Sequence, residues 1–118
     1  MLTNLNIPEW ARDVMTFFIN HPKVKLPISK KEIIDIINNS NIRVFEDNSS
    51  CMIQFLKEDE PILIFDENPV LSIEINENIP VCMLMHFNDK RLCEFECYSE
   101  DYSTINNVNW QRVEFDRR

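Results

Sequence analysis

The chain has 118 residues, a formal net charge of −8 and no glycine. A chain of this length can bury a core of its own, so we predict a single domain over residues 1–118. The missing glycine excludes phosphate-binding loops, dinucleotide-binding turns and nucleophile elbows in their standard form. Each of these needs a residue without Cβ, where the backbone adopts positive φ or approaches a ligand closely.

The N-terminal segment shows no targeting signal. It does not resemble a signal peptide, because Glu9, Arg12 and Asp13 interrupt its apolar residues. No apolar run approaches the roughly 20 residues that span a bilayer. We therefore expect a cytoplasmic protein with no membrane partner, whose cysteines are reduced thiols.

Negative charge is concentrated in the middle of the chain. Residues 46–101 contain fourteen acids and three bases, a net charge of −11, whereas the remaining residues carry a net charge of +3. Phosphate backbones repel such a surface, so we expect no direct nucleic-acid binding. A basic protein is the complementary partner, and a solvated acidic surface without a partner is the alternative.

Two helices are predicted in the N-terminal third. The first begins at Pro8-Glu9 and ends before His21-Pro22, because a proline disfavours helical geometry in the preceding residue. Its apolar side chains recur at helical spacing at Trp10, Val14, Phe17 and Phe18. The second follows a capping box formed by Ser29 and Glu32, and we expect it to end near Asn38.

From Ile42 onward the apolar residues alternate or form short runs, which is typical of strands. The breaks between them use Asn, Asp and Pro, the residues that favour turns. We predict an α+β fold in which two N-terminal helices pack on a mainly antiparallel β-sheet meander. The predicted strands are Ile42–Phe45, Cys51–Leu56, Ile62–Phe65, Val70–Ile75, Ile79–Phe87, Leu92–Tyr98 and Val108–Phe115.

The last hairpin can be given a register. An even turn at residues 88–91 places Phe87 opposite Leu92 and Met85 opposite Glu94. One face of the hairpin is then formed by Cys82, Leu84, His86, Cys93, Phe95 and Cys97. The other face is formed by Val81, Met83, Met85, Phe87, Leu92, Glu94, Glu96 and Tyr98.

The loop before this hairpin decides which face the preceding strand joins. An even loop at residues 76–79 adds Leu71 and Ile73 to the cysteine face and Glu74 to the glutamate face, and an odd loop reverses them. We prefer the even loop, because the odd loop would bury Glu94 and Glu96 beside the main apolar set. The face with methionines, glutamates and Tyr98 is then expected to be the more open one.

The hairpin also contains candidate metal ligands and a candidate nucleophile. Cys82-x3-His86 and Cys93-x3-Cys97 suggest zinc, but strand residues four apart are about 13 Å from each other, and zinc binds within about 2.3 Å. A two-ligand site at Cys82 and Cys97, or at His86 and Cys93, is the alternative. We expect no metal, no cofactor and no enzyme activity, since the acidic surroundings of Cys93 oppose thiolate formation.

The glutamate face is the best candidate for binding a partner. Glu74, Glu94, Glu96 and Tyr98 are expected among methionines, a combination suited to a cationic protein surface. A face covered by the helices, with the carboxylates at its rim, is the other interpretation.

Three segments resemble the C-terminal part of a family of small bacterial proteins of unassigned function. They are Ile79-Pro-Val81, Leu92-x-Glu94-x-Glu96-x-Tyr98 and Asp101-Tyr-Ser103, and the similarity covers residues 42–105. The size, acidity, Asn/Ile-rich composition and α+β pattern are also similar to those of immunity proteins of bacterial contact-dependent growth inhibition and other polymorphic toxin systems.

That resemblance implies a function. Such immunity proteins bind one cognate toxin domain, often a basic nuclease, and block it stoichiometrically. The leading hypothesis is therefore an immunity protein. The alternatives are a small metal-binding protein or Cys-His enzyme using residues 82–97, and a self-associating structural domain.

Overall fold

The computed structural model describes residues 1–76, 79–105 and 114–115, with side chains described for residues 1–72 and 80–105. Its elements are α1 (Glu9–Asn20), α2 (Lys30–Asn39), β1 (Ile42–Glu46), β2 (Ser50–Phe55), β3 (Val70–Asn76), β4 (Ile79–Asn88), β5 (Arg91–Ser99) and β6 (Glu114–Phe115). The strands form one antiparallel sheet in the order β1-β2-β5-β4-β3-β6. The predicted α+β fold, with two helices preceding an antiparallel sheet, is confirmed. Neither described helix has the length and apolar character that crossing a bilayer requires.

Helix α1 follows the predicted boundaries. It ends at Asn20 because His21, which precedes Pro22, is extended with φ −67° and ψ 126°. Trp10 and Phe17, which the sequence placed in the apolar stripe, lie at its margin and are partly buried. The fully buried stripe is formed by Ala11, Val14, Met15, Phe18 and Ile19.

Helix α2 begins at the predicted cap. The Ser29 Oγ accepts a hydrogen bond from the Glu32 backbone N–H at 3.2 Å, which satisfies one of the amides left without a partner at a helix start. In a standard capping box the glutamate side chain accepts from the backbone N–H of the serine. Here the Glu32 carboxylate accepts from the Ser29 hydroxyl at 3.1 Å. Ile33 and Ile37, four residues apart, are the buried residues of this helix.

The sheet is built from a hairpin and a three-stranded meander. Strands β1 and β2 form the hairpin, and the meander β3-β4-β5 returns so that β5 pairs with β2. The connection 56–69 joins the two parts. The strand predicted at Ile62–Phe65 is wrong: the segment forms no strand in the described part of the chain and lies within this connection. Of the strand predicted at Val108–Phe115, residues 108–113 lie outside the described residues, and Glu114–Phe115 pair with β3.

The β4-β5 register differs from the prediction by one residue over most of its length. Phe87 pairs with Leu92 as expected, but a bulge follows and His86 pairs with Glu94. The bulge leaves Cys93 as an extra residue on β5, so every later pair is shifted and the faces are exchanged. The predicted pair of Met85 with Glu94 is therefore wrong, and Met85 pairs with Phe95.

The β3-β4 register agrees with the even loop. Leu71 pairs with Leu84 and Asn76 with Ile79, as an even connection requires. Glu74 accordingly pairs with Val81, and the prediction had assigned these two residues to the same face.

Two hairpin positions show how the chain turns without glycine. Asp89 and Lys90 in the β4-β5 turn have φ values of 47° and 66°. Positive φ at both central residues is the geometry of a type I′ turn, which usually contains Asn-Gly. Lys90 therefore adopts a backbone conformation that is unfavourable for a residue with a Cβ.

The core lies between the helices and one face of the sheet. Phe18 of α1 meets Phe95 of β5 edge to face, with centroids 5.8 Å apart and planes at 80°, and both rings are fully buried. The face of the sheet in contact with the helices is called the inner face below. Its buried side chains are those of Cys51, Ile53, Phe55, Val81, Met83, Met85, Phe95 and Cys97. The prediction that the methionines lie on the open face is thus wrong.

Candidate functional site

The outer face of the sheet, opposite the helices, contains three of the four predicted site residues. Glu94, Glu96 and Tyr98 are two residues apart on β5 and share this face, as the sequence predicted. They pair with β4 residues that were assigned to the other face, since Glu94 is opposite His86, Glu96 opposite Leu84 and Tyr98 opposite Cys82. The bulge at Cys93 is the cause.

Glu74 lies on β3, which β4 separates from β5, and its backbone pairs with Val81. Its side chain lies outside the described residues, so the grouping of Glu74 with Glu94, Glu96 and Tyr98 stays a prediction.

His86, Glu94 and Glu96 form a compact cluster on the outer face. The His86 Nε2 lies 3.9 Å from the Glu94 Oε2 and 3.7 Å from the Glu96 Oε1. One nitrogen and two carboxylate oxygens all lie within 4.8 Å of one another. The register positions all three, because Glu94 is directly across from His86 and Glu96 is the next residue on the same face.

Glu94 is the buried member of the cluster. It is 5% exposed, and burial raises the pKa of its carboxyl to about 7, with a hydrogen bond donated to Glu96 and the Glu96 charge adding to the effect. Gln54, which is opposite Glu94 on β2, hydrogen-bonds to the Glu94 carboxyl, and this bond lowers the pKa of that carboxyl. Glu94 is therefore not an exposed partner contact, which corrects the prediction for this residue.

The β2-β3 connection holds the imidazole in place. Phe65 stacks on His86 with ring centroids 4.5 Å apart and planes 23° from parallel. The backbone next to Phe65 is anchored to β4, because the Asp66 N–H donates to the Phe87 carbonyl at 2.6 Å. The Asp66 carboxylate also accepts from the Asp89 N–H at 3.3 Å. The ring is thus fixed on one side by an ordered aromatic residue.

The cysteines do not form the sites considered from the sequence. Cys82 is opposite Tyr98, and Cys97 is opposite Met83 and Cys51, so Cys82 and Cys97 lie on different faces. Cys93 is not opposite His86, and its Sγ donates to the Arg91 carbonyl at 3.3 Å. The four cysteines are buried free thiols.

Burial also lowers the reactivity of these thiols. It raises the pKa of Cys93 and of Cys82, and it raises the pKa of Cys51 to about 12, with the Glu46 charge adding to the effect. A thiol, unlike a thiolate, is a poor nucleophile and a poor metal ligand. The arrangement offers no activated Cys-His pair among the described residues.

A second feature is the acidic-aromatic surface, which we define as the region around the β1-β2 turn and the end of β5. Phe45, Tyr98 and Tyr102 are exposed here at 52%, 38% and 87%. Two shallow grooves of about 460 Å³ and 310 Å³ adjoin them. Four acids line the grooves, and no Lys or Arg is among the described lining residues. These acids are Glu46, Asp47, Glu96 and Glu100.

Side-chain hydrogen bonds order this surface. The Tyr98 hydroxyl donates to the Cys82 Sγ, which raises the pKa of Tyr98 to about 12 and orients the ring. Asp47 accepts from the Ser49 N–H at 2.8 Å and the Ser50 hydroxyl at 3.1 Å, and these bonds lower the pKa of its carboxyl. Its negative charge is therefore held at neutral pH.

Sequence reasoning missed Gln54, Phe65 and the pairing of His86 with the glutamates. The spacing of Glu94 and Glu96 did indicate a shared face, and His86 lies on the adjoining strand. Only the placement of the bulge was needed to bring the three together. Phe65 was predicted in a strand, and no local signal indicates that it stacks on His86.

Comparison with protein-family models, with curated proteins and with solved structures found no match for this chain.

Proposed function

We propose that this chain is an immunity protein that binds a cationic toxin domain and inhibits it stoichiometrically in the cytoplasm. The observation that carries the proposal is the acidic-aromatic surface, where Phe45, Tyr98 and Tyr102 are exposed beside four carboxylates. Aromatic residues are enriched at protein interfaces relative to the rest of the protein surface. A basic nuclease domain has the complementary charge.

The two kinds of side chain would contribute differently. Aromatic rings that enter pockets of a partner supply most of the binding free energy, and truncating such a residue costs at least about 2 kcal/mol. Carboxylates at the rim mainly raise the association rate and make it depend on salt. Tyr98 and Tyr102 are therefore the expected anchors, and Glu100 and Asp47 are expected to steer the encounter.

An inhibitor also fits the buried thiols better than a Cys-His enzyme does. A catalytic cysteine needs an electropositive, accessible setting, whereas burial raises the pKa of Cys93, and the negative charges of Asp66 and Glu94 oppose the positive charge of Arg91. The missing glycine loops point in the same direction. We therefore propose that the chain has no hydrolytic activity of its own.

The proposal is tested by co-expression with the C-terminal domain of a large secreted protein encoded by a neighbouring reading frame. We expect the two to purify as a complex and the chain to protect cells from that domain. Tyr102→Asn should weaken binding by at least about 2 kcal/mol. Asparagine is chosen because Tyr102 has φ 62°, which asparagine tolerates.

The matched control is Glu67→Lys, in the connection that runs beside the opposite end of the β4-β5 hairpin. It should bind and protect like the parent. If no cationic domain binds, or if Tyr102→Asn and the parent bind equally, the proposed function or the proposed surface is wrong. A concentration-dependent dimer that buries Phe45 would instead favour a self-associating domain.

A further inference from the structure

We propose that His86, Glu94 and Glu96 bind one divalent transition-metal cation of the zinc class. This site differs from the cysteine sites considered from the sequence, because none of its ligands is a thiol. It shares Glu96 with the acidic-aromatic surface but differs from that surface in its central carboxylate, Glu94, which is buried. A cation here does not depend on the proposed immunity role.

The geometry is close to that of a metal site. Ligand atoms around a tetrahedral ion with bonds of about 2.1 Å lie roughly 3.4 Å apart. The His86 Nε2 is already 3.7 Å from Glu96 and 3.9 Å from Glu94. All three ligand atoms lie within 4.8 Å of one another, so side-chain movements of about 1 Å would bring them to bonding positions without any change of the strand register.

The ligand set selects the class of cation. One imidazole nitrogen with two carboxylate oxygens suits zinc, cobalt, manganese or ferrous ions. Magnesium and calcium prefer sites composed of oxygen alone, so His86 disfavours them. Three protein ligands also leave a coordination position open, and the Glu96 side chain, about a third exposed, borders solvent on that side.

A second observation supports a ligand at this position. Glu94 is nine-tenths buried and faces another carboxylate, an arrangement that is costly unless a proton or a cation lies between the two. Its neighbours are those of an organised site. Gln54 hydrogen-bonds to the carboxylate, and Phe65 fixes the plane of the imidazole.

The test is cobalt and zinc binding to the full chain after treatment with EDTA. We expect one Co²⁺ per chain, visible d–d absorption bands, and displacement by Zn²⁺. A sulfur-to-cobalt charge-transfer band should be absent, because no thiolate takes part. Glu94→Gln and Glu96→Gln should each weaken Co²⁺ affinity by more than about tenfold, since even the loss of an outer-shell partner has an effect of that size.

Glu67→Gln is the matched control and should leave the affinity unchanged. Glu96→Gln alters a side chain that is already partly exposed, so its folding is not in question, and circular dichroism checks each variant. Absence of cobalt binding would overturn the site. Equal affinity in the parent and both cluster variants would overturn it too, as would a sulfur-to-cobalt band.

Discussion

Replacing Glu94 by glutamine should remove one pH-dependent contribution to the stability of the metal-free protein. The pKa of Glu94 is raised in the folded state, so the folded chain holds a proton that the unfolded chain has lost. Stability falls with pH wherever the folded state binds more protons than the unfolded state. The contribution of Glu94 is thus fully present below about pH 4.5 and is lost as pH rises to about 7.

The size of the effect follows from the two pKa values. Folded and unfolded values of about 7 and 4.5 correspond to roughly 3 kcal/mol, at about 1.36 kcal/mol per pH unit. The charged and polar groups facing Glu94 are His86 on β4, Glu96 on β5 and Gln54 on β2, with Arg43 one strand further across. Glutamine cannot ionise and can still donate a hydrogen bond to Glu96. The Glu94→Gln variant should therefore not lose this stability as pH rises.

The assay is urea unfolding in EDTA across this pH range, with the Glu67→Gln variant as the control. Near pH 4 the parent and Glu94→Gln should have similar free energies of unfolding. Above pH 7 the glutamine variant should be the more stable by up to about 3 kcal/mol. If the difference between the two does not change with pH, or if the parent gains relative stability as pH rises, the account of this carboxyl is wrong.

Three further predictions concern the turn, the core and the thiols. Lys90→Gly should raise the free energy of unfolding by about 0.5 to 1 kcal/mol, because it relieves positive φ at a residue with a Cβ; an equal gain from Lys90→Ala would refute this reason. Phe95→Ala should cost about 3 to 5 kcal/mol through loss of the buried contact with Phe18, and a cost below about 1 kcal/mol would contradict the packing of α1 on the sheet. All four cysteines should react slowly with a thiol reagent in the native protein and fully after denaturation without reductant; fewer reactive thiols in the denatured chain would show a disulfide.

Local signals were sufficient for the helices and for most of the strands. Ser29 and Glu32 mark the start of α2 because the capping groups are three residues apart, and Pro22 marks the end of α1 because it constrains its neighbour directly. Both signals depend only on residues close in sequence. The β3-β4 loop is even, as predicted, but the reason given for it does not hold, because Glu94 is buried.

The candidate site depended on two features that are not local. The bulge at Cys93 exchanges the faces of β5, and no glycine or other residue marks it in the sequence. Leu92 and Cys93 are both apolar, so either could have continued the ladder. The stacking of Phe65 on His86 depends on where the connection 56–69 crosses the sheet, which neither residue indicates. The methionines were therefore assigned to the wrong face, and the histidine was paired with a cysteine.

The most direct test of the proposed function is the association rate of this chain with its toxin domain, measured as salt concentration is varied. We predict fast association that slows as salt screens the acidic-aromatic surface. Glu100→Lys should slow association and flatten the salt dependence, while Glu67→Lys, the same charge change at the other end of the hairpin, should have a smaller effect. Equal effects of the two variants would mean that net charge alone governs the encounter. A rate independent of salt would contradict the proposed binding of a cationic domain at this surface.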